Sequence, residues 1–122
     1  MYYHQPKITD ISMLNSSLEL NNTIVNISNN ISKLDSNISG ISAQKKGNNI
    51  SVSIRFNPYK DSFELISGLP LPTIDGYYIP VFNYSSGKPI NGGLWLGNNG
   101  KVSYYGDIST LSHIAHFEYV TK

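Results

Sequence analysis

Between Ile24 and Ile41 the apolar positions Ile24, Ile27, Ile31, Leu34, Ile38 and Ile41 alternate at spacings of three and four. That is the seam of a left-handed coiled coil written in heptads. Nearly everything between them is Ser, Asn, Lys or Asp, so a lone helix would hold its isoleucine stripe in water. With Ile24, Ile31 and Ile38 at a, and Ile27, Leu34 and Ile41 at d, β-branched residues dominate both positions, which favours three or more strands over two. Ser and Asn prefer caps and turns to helix interiors. The pattern therefore predicts helix only if chains associate, as a parallel homotrimer through these six residues. Thr9 or Asp10 is a candidate N-cap. Ile11, Leu14, Leu18 and Val25 keep one heptad frame while Leu20 and Ile24 onward keep another, so the seam slips between them. Gly40 and Gly47 mark the helix end. The expected organisation is an arm over residues 1–7, a coiled-coil stalk over 8–46 and a head over 47–122.

From Asn49 the period changes to two. Ile50, Val52, Ile54 and Phe56 alternate with Ser51, Ser53 and Arg55, the pattern of a half-buried strand. Further strands are expected at Ser62–Ser67, at Tyr77–Tyr84 with a break at Pro80, on both sides of Asn99-Gly100, and at Ile114–Val120. The prolines of Gly68-Leu69-Pro70-Leu71-Pro72 make that stretch an edge or a loop. Asn99-Gly100 calls for a two-residue type I′ turn, which sets Trp95 opposite Tyr104 and Leu94 opposite Tyr105. Trp95 and Tyr104 then share one face, and Tyr105 joins Leu94 and Leu96 on the other, buried one. A turn at Asn98-Asn99 would instead set Trp95 opposite Val102. About six short strands separated by turn signals predict an all-β antiparallel sandwich, jelly-roll-like.

Composition narrows the function classes. Of 122 residues only 14% are charged and the net charge is +1, so no basic field exists to hold nucleic acid or an anionic membrane. No apolar run reaches the length of a membrane span, and Met1-Tyr2-Tyr3-His4-Gln5-Pro6 lacks the features of a signal peptide. There is no cysteine, which removes disulfides, thiolate catalysis and cysteine-based zinc sites. A head of roughly eighty residues is near the size at which one core is marginal, and trimerisation would add burial.

The succession Ile50-Ser51-Val52-Ser53-Ile54, Ser67-Gly68-Leu69-Pro70-Leu71-Pro72, Tyr78-Ile79-Pro80-Val81, Gly93-Leu94-Trp95-Leu96, Asn99-Gly100-Lys101-Val102 and Phe117-Glu118-Tyr119-Val120-Thr121-Lys122 resembles the terminal domain of tail-fibre and baseplate proteins of phages infecting Gram-positive bacteria. The resemblance covers residues 49–122 and is one of strand order and short apolar phrases. It implies a virion tail location and a trimeric stalk carrying β-domains, which either bind cell-wall saccharide or hold the next tail protein. It carries over no saccharide pocket residue by residue.

Saccharide binding needs flat rings against sugar C–H faces and a few fixed polar groups. The candidates are Trp95, Tyr104, Asp107, His113 and Tyr77, with Tyr78, Tyr84, Tyr105 and His116 behind them. In so small a head most rings build the core or a subunit interface. Asp107 can equally close an Asx-turn. His113 and His116, three apart in a strand, fall on opposite faces, so no metal site is expected, nor any cofactor. No local carboxylate pair, phosphate loop or Gly-x-Ser-x-Gly elbow is present, and no enzyme activity is expected. The expected function is attachment of a virion to cell-wall saccharide. Its rivals are a structural connector holding another tail protein, with the aromatic arm as a docking peptide, and a trimeric bacterial surface adhesin.

Overall fold

The computed structural model describes residues 23–122. They form one antiparallel sheet of nine strands: β1 (Ile24–Asn26), β2 (Ser32–Lys33), β3 (Ile38–Lys46), β4 (Asn49–Phe56), β5 (Ser62–Ser67), β6 (Gly76–Asn83), β7 (Pro89–Gly97), β8 (Val102–Gly106) and β9 (His113–Val120). The order across the sheet is β1-β3-β4-β9-β6-β7-β8-β5-β2. The six strands expected from Asn49 onward are all present, and Pro80 lies within β6 beside a register shift between Pro80 and Phe82, a position where a strand tolerates proline.

The sheet curls until its two halves meet. Inward residues of β4 (Ile50, Val52, Ile54, Phe56) and β9 (Ala115, Phe117, Tyr119) share one core with Leu65 and Ile66 of β5, Leu94 and Leu96 of β7, and Val102 and Tyr104 of β8. Phe56, Tyr104 and Phe63 form the join. Their ring centroids lie 5.5 Å (Phe56–Tyr104), 6.2 Å (Phe56–Phe63) and 5.8 Å (Phe63–Tyr104) apart, edge-to-face or tilted as ring quadrupoles favour. Strands three or more places apart in the sheet order are thereby in contact. At the far end of β9, Tyr119 packs on Tyr77 at 5.9 Å and its hydroxyl donates to the Pro70 carbonyl at 2.7 Å, so the expected loop at 68–72 is tied down.

The stretch Ile24–Ile41 is not a coiled-coil helix. Among the described residues the helical element is a single 3-10 turn, Ser28–Asn30. Instead the chain straps the curl shut. β1 pairs with β3 at one sheet edge, and six residues after Asn26 the chain pairs as β2 with β5 at the other. Ile27 N–H donates to the Ala43 carbonyl and Leu34 N–H to the Leu65 carbonyl. The strap covers part of two edges that would otherwise present unpaired backbone. Of the six seam residues, Ile27 and Ile38 are buried in this chain's own core, Ile31 and Ile41 pack against it, and Ile24 and Leu34 are exposed.

The reason is local competition for the backbone. Asn26 Oδ1 accepts from Ser28 N–H at 2.9 Å and Asp35 Oδ1 from Asn37 N–H at 2.8 Å, side-chain bonds that favour turns over helix. Tyr59 adds its hydroxyl to Asp35 Oδ2 at 2.6 Å. Burial works against the Asp35 carboxylate, and these hydrogen bonds outweigh it, holding its pKa below the ordinary value. Apolar residues either side of such turns fall three or four apart without a helix. The head accordingly begins before residue 47, since Gly47 lies in the β3–β4 hairpin. The arm 1–7 and the stalk's residues 8–22 lie outside the described residues.

The β7–β8 hairpin differs from expectation by one residue. Leu96 pairs with Val102, Trp95 with Ser103, Leu94 with Tyr104 and Gly93 with Tyr105. Gly97 N–H donates to the Lys101 carbonyl at 3.0 Å, so the loop is Asn98-Asn99-Gly100, with Gly100 alone at positive φ (77°). Three-residue loops with a left-handed final residue take this form. A one-residue slip exchanges every side chain between faces. Tyr104 is consequently inside, and Trp95 and Tyr105 are outside.

Burial pushes the Tyr104 hydroxyl up to about 12, aided by the Asp107 charge, and raises Tyr119 as well, with Tyr77 adding to the effect. An unfolded tyrosine ionises near 10, so the stability these two residues contribute is complete below that pH and is lost as pH rises toward the folded values. Phenolate absorbance should show both titrating together with alkaline unfolding. Tyr104→Ala should cost about 3–5 kcal/mol in urea denaturation.

Candidate functional site

The outer face of β6-β7-β8 carries three exposed rings: Tyr78 (61% exposed), Trp95 (43%) and Tyr105 (51%). Alternation along the strands turns Ile79, Leu94, Leu96 and Tyr104 inward and these three outward. Tyr78 and Trp95 are directly opposite in register, and Tyr105 is opposite Gly93. Glycines let the rings lie flat. A Cβ at Gly76 would stand 2.2 Å from the Trp95 ring, and one at Gly93 would stand 2.6 Å from the Tyr78 ring. Trp95 thus covers Gly76 and Tyr78 covers Gly93, diagonal cross-strand contacts of the kind that stabilise sheets. The result is a strip of the outer face with one exposed ring on each of three strands, edged by Ser103 and by Lys101, whose ammonium pairs with Glu64 at 2.9 Å.

The expected site residues do not converge. Trp95 is on the strip. Tyr104 is fully buried, its hydroxyl donating to the Asp107 carbonyl at 2.6 Å. Asp107 is exposed just beyond β8, and its N–H donates to the Asn91 carbonyl at 2.8 Å. His113 is buried, with Nδ1 donating to the Leu111 carbonyl at 2.9 Å. Tyr77 faces inward against Tyr119. Tyr104 and His113 are therefore inside and Tyr77 is half-buried, and Trp95 and Tyr104 are on opposite faces. His116 is on the opposite face from His113, exposed and bonded through Nδ1 to Ser53 Oγ at 2.8 Å. Tyr105, expected inside, is a strip residue. Requiring Leu94, Leu96, Val102 and Tyr104 all to face inward selects the three-residue loop and with it the strip.

A separate cleft of about 410 Å³ opens beside β1, β3, β4 and β9, lined by Ile24, Gln44, Lys46, Asn49, Ser51 and Glu118 among others. It offers polar groups but no ring. No described helix is long and apolar enough to cross a membrane.

The fold defined by this geometry is a curled nine-stranded antiparallel sheet with rings exposed on one outer face. No protein-family model matches the chain, and no curated protein matches it in sequence. Among solved structures it is similar to the crystal structure of the receptor binding protein (gp15) of Listeria phage PSA, with a TM-score of 0.64 and 13% sequence identity, over 97% of this chain and 82% of that one. The two share a fold.

Removing the Trp95 ring should leave the core intact. Trp95→Ala should lower stability by about 2 kcal/mol, below the cost at Tyr104, because nearly half of the residue is already in water. Gly76→Ala should swing the indole off the sheet, read as a red shift in tryptophan fluorescence with the fold retained.

Proposed function

We propose that this chain is a host-attachment protein of a phage tail which binds cell-wall saccharide through Tyr78, Trp95 and Tyr105. The strip carries the reading. Solvent-facing rings, held flat over glycine and contributing little to the core, suit the C–H faces of sugars. The shared fold adds support, since the similar protein is named a receptor binding protein. The phrase-level resemblance to phages of Gram-positive bacteria suggests the host class. The protein acts as a homotrimer in this reading, and multivalency raises the avidity of weak sites by orders of magnitude. Residues 8–22, with Ile11, Leu14 and Leu18 in one heptad frame, are the remaining candidates for a trimerising segment.

A structural connector is the second reading, and one observation favours it. Leu71, Ile74 and Val120 are exposed together where the 68–75 loop runs beside the end of β9, a small apolar patch fit to meet another protein.

Light scattering should give the mass of a trimer, and saturation-transfer NMR against cell-wall polysaccharide fragments should show transfer to one host's glycan. Trp95→Ala should abolish that transfer without changing the mass. A folded protein silent toward every glycan would overturn the saccharide reading in favour of the connector.

A further inference from the structure

Arg55 is the sole arginine of the chain, and it stands on the outer face of β4, away from the ring strip. Its guanidinium carbon lies 3.7 Å from the centroid of the Tyr84 ring, and its Nε donates to Ser112 Oγ at 3.0 Å. Stacking and hydrogen bond together fix the plane and direction of the fork. Among the described residues the ion pair formed is Lys101–Glu64, and Arg55 makes no side-chain hydrogen bond other than the one to Ser112. Its two terminal nitrogens, which carry four of the five N–H groups, are free there.

The surroundings extend the site. Arg55 is in register with Ile114, and Ile114 with Phe82, so the exposed Tyr84 ring stacks on the fork and the exposed Phe82 lies two strands away on the same face. His116 is a diagonal neighbour across the β4–β9 pair, oriented through Nδ1 by Ser53. A guanidinium held rigid before a ligand arrives loses little freedom on binding, and its planar fork matches the two oxygens of a carboxylate or phosphate. Rings beside a fork suit an oxyanion attached to a body with an apolar face.

We infer that Arg55, oriented by Tyr84 and Ser112, is an oxyanion subsite that takes the carboxylate or phosphate of an acidic saccharide. The inference rests on the saccharide reading for the sugar that bears the anion, and on Arg55 for the anion itself.

The test is an NMR titration of the whole protein with glucose, glucuronate, glucose 1-phosphate and inorganic phosphate, following the Arg55 side-chain Nε–H and the Ser112 amide. Glucuronate or glucose 1-phosphate should shift both signals with an affinity at least about tenfold above that of glucose, the gain of a charge-assisted pair. Read at the Ser112 amide, Arg55→Gln should remove the response and Arg55→Lys should weaken it. A response to glucuronate alone identifies a carboxylate; one to both phosphates and not to glucuronate identifies a phosphate. No shift of these signals with any anion, an equal response to glucose, or a full response in folded Arg55→Gln would overturn the subsite. The wild-type titration decides the matter even if Arg55→Gln does not fold. Anion shifts at Arg55 with no saccharide response at Trp95 would sink the ring-strip reading and leave the anion site standing.

Discussion

The contact between Phe56 on β4 and Tyr104 on β8, 5.5 Å between ring centroids, is what the rest of this structure depends on. A nine-stranded sheet with one apolar face has to cover that face, and with no packing helix among the described residues it covers it with its own other half. Phe56, Tyr104 and Phe63 join the halves, and the Tyr104 hydroxyl stays satisfied by reaching the Asp107 carbonyl at the rim. Once the sheet is folded over, its first and last edges come close enough for a chain of ten residues to pair with both. The strap from β1 to β2 is a consequence of that closure and reinforces it.

Curling also sorts the rings. Those facing inward, Phe56, Tyr77, Tyr104, Phe117 and Tyr119, form the core, and the hydroxyls of Tyr104 and Tyr119 end on carbonyl groups. Those facing outward are free of that duty. Trp95 lies over Gly76 and Tyr78 over Gly93, with Tyr105 opposite Gly93 on the next strand, and Tyr84 stacks on Arg55. Single exposed rings are ordinary, and among the described residues those other than Tyr59 lie on the outer face of β6, β7 and β8 or at Phe82 and Tyr84.

Much of the head was legible because strand signals are local. Ile50 to Phe56 and Ile114 to Val120 alternate without interruption, and the structure has strands there with the expected faces, including His113 and His116 on opposite sides. Proline and glycine marked the loops for equally local reasons. What misled was the spacing of Ile24 to Ile41. Isoleucines three and four apart fit a heptad, and they equally fit short strands separated by Asn and Asp turns. The choice turns on whether β3 finds β4, a pairing that spacing does not encode.

The sequence by itself determined where the strands of the head run and which residues of each share a face, since the two-residue period is a property of the pleated backbone. It also determined that a tryptophan and several tyrosines lie close to the β7–β8 hairpin. Only the tertiary structure decided which face is inside. That hung on a loop of three residues rather than two, selected because Leu94, Leu96, Val102 and Tyr104 have to enter the same core. It likewise decided that Arg55 meets Tyr84 and Ser112, residues 29 and 57 positions away, because the curl of the sheet brings together what the chain keeps apart.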